Sequence, residues 1–170
     1  MRDLEIRIFP DPVLEKECEE IGDIDDEIVD LAQGMIATMK KAEVFGLSAP
    51  QVGVLKRLFV CKDFSDEDKE RFLVLINPKI IDFEGRVESR EGCLSIPDIR
   101  GRVTRSLDIR VRSLNRKGNV QVMTASGFAA RVIQHETDHL DGVLFLDRMT
   151  SLESLTFITE YDRHWTECED

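Results

Sequence analysis

Long apolar runs are missing from this sequence. No stretch reaches the ~18 consecutive apolar residues that a membrane-spanning helix needs. The opening residues, MRDLEIRIFPDP, hold no apolar block of the kind a secretory signal carries. Positive charge is scarce as well: 23 Lys and Arg stand against 34 Asp and Glu, for a net charge of −11. A surface of that sign repels phosphate backbones, so strong direct nucleic-acid binding is not expected. Cysteine is sparse and scattered. Cys18, Cys61, Cys93 and Cys168 form no CxxC pair and no disulfide framework. A reducing cytoplasm is the expected location, and there a functional cysteine serves as a ligand or nucleophile. Repeats, low-complexity tracts and domain linkers are absent too. What remains is a chain of 170 residues, 42% apolar and 34% charged, which suits one soluble domain with one substantial core. A monomer is expected.

The clearest pattern present is helical. Over residues 25–41, Ile28, Leu31, Ala32, Met35, Ile36 and Met39 recur at helical spacing, and Asp25 or Asp26 caps the start. Before it come a turn at Pro10-Asp11-Pro12 and a short helix in the acidic segment that follows. Glycine and proline mark residues 46–53 as irregular. The middle reads as strands over residues 58–61, 72–76 and 80–88, with Asn77-Pro78 ending the second of them. A loop covers residues 91–97. Further strands fall near Val103 and over residues 107–112 and 120–124, with a turn at 115–119. A helix follows over residues 126–141, capped by Ser126 or Thr124 and closed by Gly142. A short apolar run, residues 143–146, and a last helix from Thr150 complete the chain. The expectation is α+β: a single compact catalytic domain spanning residues 1–170, with mixed antiparallel sheets around the central second helix. N-terminal helices and a C-terminal helix flank it, residues 151–170 forming an acidic tail.

That central helix contains His135-Glu136-Thr137-Asp138-His139. Two histidines four residues apart stand one turn apart on one helix face and can bind one metal ion together. Glu136 is placed to reach a metal-bound water without being a ligand. A chance HExxH in a chain of this length is rare, on the order of one per cent or less, and two of the chain's three histidines lie in this motif. A catalytic metal site needs a third protein ligand and an open position. The extended motif HExxHxxGxxH is excluded, because Phe145 stands where its last histidine belongs. Glu160, in the last predicted helix, and Cys93, in the upstream loop, both remain as candidates; a thiolate is a strong ligand for divalent transition metals. On these residues alone the chain is a metal-dependent amide hydrolase, and an endopeptidase with Glu160 as third ligand is open.

Three segments in order, Gly46-Leu47-Ser48-Ala49-Pro50-Gln51, Glu91-Gly92-Cys93-Leu94-Ser95 and Gln134-His135-Glu136-Thr137-Asp138-His139-Leu140, together resemble the peptide deformylase family. Phe9-Pro10-Asp11-Pro12-Val13-Leu14 and Asn77-Pro78 are similar to it as well. The resemblance implies removal of the formyl group from the N-terminal methionine of newly made polypeptides. It implies Cys93, His135 and His139 as ligands of one divalent ion, Fe(II), with Zn(II), Ni(II) or Co(II) as substitutes. It also implies Glu136 as proton shuttle, with the Gln51 amide and the Leu94 backbone N–H as donors to the developing oxyanion. A catalytically weak, deformylase-like binding protein is the non-enzymatic alternative. Gly46 is expected to bring its backbone close to the substrate peptide. Phe128 and Val132 share the face of His135 and are expected to line the pocket for the methionine side chain. Asp138 is paired with Arg105 as a support for the ligands, and Glu91 is expected to support the Cys93 loop.

The chain departs from the family's usual pattern at Val44, where a glycine is common, and at Ser48, where alanine is common. Val44 is β-branched and resists positive φ, and it is expected to reshape the edge of the substrate cleft. Residues 151–170 carry six acidic side chains and a single arginine, Arg163. Direct docking of this tail on RNA is therefore expected to be weak or absent. An RNA-binding titration over a range of salt checks this; tight, salt-sensitive binding that vanishes when residues 151–170 are removed would overturn it.

Overall fold

Asp25 accepts a hydrogen bond from the free N–H of Ile28 (3.0 Å), and helix α1 (Asp26–Lys41) starts at the next residue. Acidic residues in its first turn and Lys40 and Lys41 in its last match the helix dipole. The structure is a computed structural model, and it describes residues 4–65 and 70–158. The apolar stripe of α1, with Met35 and Met39 fully buried, packs on Leu47, Leu58 and Val60 of the first of two sheets.

That sheet has five antiparallel strands: β1 (Gly46–Ser48), β2 (Leu58–Lys62), β3 (Phe72–Glu84), β6 (Asp108–Leu114) and β7 (Val120–Ser126), adjacent in that order. The second sheet joins β4 (Val87–Cys93), β5 (Ile96–Arg105) and β8 (Thr156–Phe157). The central helix, α2 (Gly127–Leu140), packs Ala130, Ile133 and Leu140 against Phe59, Leu75 and Val111 of the first sheet. The short helix α3 (Phe145–Arg148) brings Phe145 into a separate apolar cluster with Ile96 and Val103 of the second sheet. This is the expected α+β domain.

Several local expectations are corrected. Asn77-Pro78 does not end a strand; β3 runs through it on a bulge. Pro78 has no N–H to donate, Asn77 takes a left-handed φ of 48°, and the register against β6 shifts between Ile76 and Lys79. The Asn77 side chain makes up the polar contacts, donating to the Ile21 carbonyl and accepting from the Ile21 N–H, each at 2.8 Å. Residues 91–97 are no open loop. Cys93 pairs with Ile96, so Leu94 and Ser95 form the tip of a tight β4–β5 hairpin. Residues 46–53 become β1 followed by a 3-10 turn, Ala49–Val52, which Gly53 closes at φ 83°. The final helix is not found among the described residues: after a turn at Leu152–Ser154, β8 adds to the edge of β5. Glu160, with the rest of residues 159–170 of the acidic tail, lies outside the described residues. Among the described residues, no helix is long and apolar enough to cross a membrane.

Gly142 closes α2, as expected, at φ +69°. A Cβ there would lie 2.8 Å from the backbone C and O of Glu15. Gly142→Ala therefore combines a strained φ with a clash that no side chain can relieve. It is expected to lower unfolding free energy by roughly 2–4 kcal/mol, measured by urea denaturation; an unchanged midpoint would show that the two segments separate freely.

Candidate metal centre and active site

The turn that closes the β4–β5 hairpin sets Cys93 against the face of α2. The Cys93 Sγ lies 3.3 Å from His139 Nε2. Among the described residues, Cys93, His135 and His139 form one group whose ligand atoms all lie within 4.8 Å of one another. Four-coordinate metal–sulfur and metal–nitrogen bonds place neighbouring ligand atoms roughly 3.3–3.8 Å apart, so a thiolate and two imidazoles at this spacing suit one divalent transition ion. Burial works against a charged Cys93. The two histidines outweigh it, His139 foremost, and hold the thiol well below its ordinary 9.0, which favours the thiolate that a metal requires. Cys18 and Cys61 lie on the opposite side of this contrast: burial pushes Cys18 up to about 11 and Cys61 higher still.

His135 is oriented by a carboxylate. Its Nδ1 meets Glu91 Oε2 at 3.0 Å, which leaves Nε2 for the centre. Glu91 is therefore not only a support for the Cys93 hairpin but also the partner of a histidine on another element. Its two oxygens also accept from Arg105 Nε and Nη2 at 2.8 and 2.9 Å. Arg105 Nη1 donates to Asp138 Oδ2, the pairing expected from the sequence, and Arg148, from α3, closes over Asp138 at 2.9 Å. The Asp138 side chain thus reaches His135 through Arg105 and Glu91. Burial alone would raise the Glu91 carboxyl, but Arg105 and His135 outweigh it and hold the group at about 2. Phe145, whose presence excluded the longer histidine motif, packs its ring against His135 with centroids 6.5 Å apart.

Glu136 follows His135 on α2 and is buried. Burial pushes its carboxyl above the ordinary 4.5, with His135, His139 and Ser48 opposing. Gly46 explains itself here. A Cβ on it would lie 2.5 Å from Glu136 Oε1 and 2.8 Å from Cγ, so the carboxylate occupies the space a side chain would need. Gln51 is 2% exposed, not a loop amide in solvent. Its Oε1 accepts from the Ser48 N–H at 2.9 Å, which turns Nε2 toward Cys93 Sγ (3.2 Å) and Ser95 Oγ (3.3 Å).

These groups border a cavity of about 490 Å³, whose wall includes Gly46, Gln51, Cys93, Leu94, His135 and Glu136. Phe128 and Val132 line it as well, by different means. Val132 is a core residue with one face on the cavity. Phe128 is 40% exposed and stands edge-on to Phe45 and Phe64, with centroids 4.9 and 5.4 Å away. Val44 lines the cavity too, as expected, but the left-handed residue of this turn is Glu43, at φ 54°, so the β-branched side chain is not strained. Ser48, the other departure from the family's pattern, is 0% exposed and sits behind Glu136. The contacts of Glu91 with His135, of Arg148 with Asp138 and of Ser95 with Gln51 join residues remote in sequence, and no spacing rule points to them.

Arg105→Ala leaves Glu91 with His135 alone and Asp138 with Arg148 alone, and is expected to cost roughly 3–5 kcal/mol. The pH dependence follows from Glu91. Its folded value of about 2 lies below the ordinary 4.5, so its share of the network is fully present above pH 4.5 and is lost as pH falls from 4.5 toward 2. Urea midpoints of the wild type and the variant should converge in that window; a gap that persists to pH 2 would contradict it.

The polypeptide deformylase family model matches residues 3–155. A peptide deformylase of Thermodesulfovibrio yellowstonii is 45% identical over 154 residues, covering 91% of this chain and 93% of that protein. One of Brachyspira hyodysenteriae is 48% identical over 153 residues, covering 88% and 82%. The crystal structure of peptide deformylase from Thermotoga maritima superposes with a TM-score of 0.83 at 38% identity, covering 89% of this chain and all of that one. The family match runs through all three segments that border the cavity. The chain belongs to the peptide deformylase family, metal-dependent enzymes that remove the N-formyl group from nascent peptides.

Proposed function

We propose that Cys93, His135 and His139 hold one Fe(II) ion, with Zn(II), Ni(II) or Co(II) as working substitutes, and that the adjoining cavity receives the formyl-methionyl end of a nascent polypeptide. The observation that carries this reading is the convergence of three ligand atoms within 4.8 Å at a cavity also bordered by Glu136 and Gln51. A thiolate with two imidazoles suits several divalent ions, and the choice of Fe(II) rests on the family resemblance.

When bound, such an ion makes a coordinated water acidic near neutral pH and polarises the formyl oxygen. The remaining work falls to the chain. Glu136 accepts the proton of the attacking water and passes it to the amine nitrogen as the formyl C–N bond breaks. Its raised pKa suits a group that must both take and give a proton. Gln51 Nε2, fixed by the bond from the Ser48 N–H to Oε1, and the Leu94 backbone N–H donate to the oxygen that gains charge. The Gly46 backbone borders the peptide's path, and Phe128 and Val132 enclose the methionine side chain. Glu91 and Arg105 keep His135 in the tautomer that presents Nε2.

The test is formate release from formyl-methionyl peptides by anaerobically prepared, metal-analysed protein. Cys93→Ala should lose both metal and activity, whereas retained metal would return Glu160 as third ligand. Glu136→Gln should keep the metal and lose about 10²–10⁴ in kcat; an active variant would sink the assigned base. Gln51→Ala should lose about 10²–10³ in kcat.

A further inference from the structure

Ser48 makes a contact that the mechanism above does not use. It lies at the end of β1, 0% exposed, and its Oγ stands 2.5 Å from Glu136 Oε2 and 3.0 Å from the Glu136 carbonyl oxygen. A hydroxyl has one proton to donate. The shorter contact, to a carboxylate, is the charge-assisted one and takes it. The other carboxylate oxygen, Oε1, lies against Gly46, at the wall of the cavity. The two oxygens of Glu136 are therefore unlike: Oε2 meets the buried Ser48 hydroxyl, and Oε1 lies beside Gly46, a residue of the cavity wall. The same residue's backbone N–H holds Gln51 Oε1. One buried serine thus contacts both the Glu136 carboxylate and the Gln51 amide.

We propose that Ser48 is a positioning residue for the deformylation step, fixing the Glu136 carboxylate so that only Oε1 exchanges protons. This rests on the assignment of Glu136 as proton shuttle. The water O–H bond breaks, its proton goes to Oε1, and the water oxygen forms the bond to the formyl carbon. As the C–N bond breaks, the same proton leaves Oε1 for the amine nitrogen. Oε2 keeps the Ser48 hydrogen bond throughout. Without that bond, rotation about the last side-chain torsion of Glu136 is less restrained, and fewer encounters find Oε1 aligned.

Ser48→Ala removes one oxygen and leaves the backbone bond to Gln51. With metal-loaded enzyme and formyl-Met-Ala-Ser, kcat should fall about tenfold to a hundredfold, the range for loss of a hydrogen bond to a charged group. KM should stay within about twofold, because Ser48 touches no substrate. Metal content per chain should be unchanged. The same substitution made in Glu136→Asp, whose shorter side chain draws the carboxylate away from Ser48, should cost less than about threefold. Three results would overturn the proposal: an unchanged kcat in Ser48→Ala, an equal loss in both backgrounds, or a loss that tracks departure of the metal. An active Glu136→Gln would instead sink the assignment of the base, so the two failures are distinguishable.

Discussion

A single buried guanidinium holds this site together. Arg105 brings a full positive charge into the interior at the point where the second sheet meets α2, and its side chain is 5% exposed. Removing such a charge from water costs several kcal/mol, and only close, well-directed carboxylates offset it. Glu91 on β4 and Asp138 on α2 supply them. The pairing is also a positional constraint. Glu91 can satisfy Arg105 and His135 together only when β4 lies at one height along α2, and Cys93 is two residues further along that strand. The distance between thiolate and imidazoles is thus set by an ion pair that includes none of the three candidate ligands.

Much of this was legible in the sequence where the signal is local. α1 shows itself through its apolar spacing and the Asp25 cap, and α2 through the two histidines and Gly142, because helical contacts recur every three to four residues. Strands were legible where they are short and uninterrupted, as β2 and β6 are. Local rules failed at Asn77-Pro78, where the Asn77 N–H finds the Arg57 carbonyl, the Asn77 side chain bonds the distant Ile21 backbone, and the strand continues on a bulge. They failed again at residues 91–97, whose glycine and proline read as a loop although the register between Cys93 and Ile96 makes a hairpin. The terminal helix was a compositional guess, and Ile158 N–H bonding to the Asp98 carbonyl shows what won over the described part of that segment: an edge strand with backbone partners to satisfy.

The site divides in the same way. HExxH spacing is visible because both histidines sit on one helix. The link from Cys93 to that helix was visible only through the resemblance, since no periodicity joins a hairpin to a helix. Ser48 was visible as a departure from the family's usual alanine, but nothing local showed what its hydroxyl would meet. Its contact with Glu136 spans 88 positions in the chain. Gly46 and Ser48 share one cause. β1 runs so close to α2 that Gly46 has no room for a side chain and the next inward-facing residue, Ser48, must be small.

The candidate ligands come from two different layers: Cys93 from the hairpin of the second sheet, His135 and His139 from the helix. An ion held by all three is therefore a cross-link between elements that the chain itself joins only through β5, β6 and β7. Closing so long a loop in the native state removes freedom from every conformation in which the layers part. Metal affinity and resistance to unfolding become two measurements of one free energy.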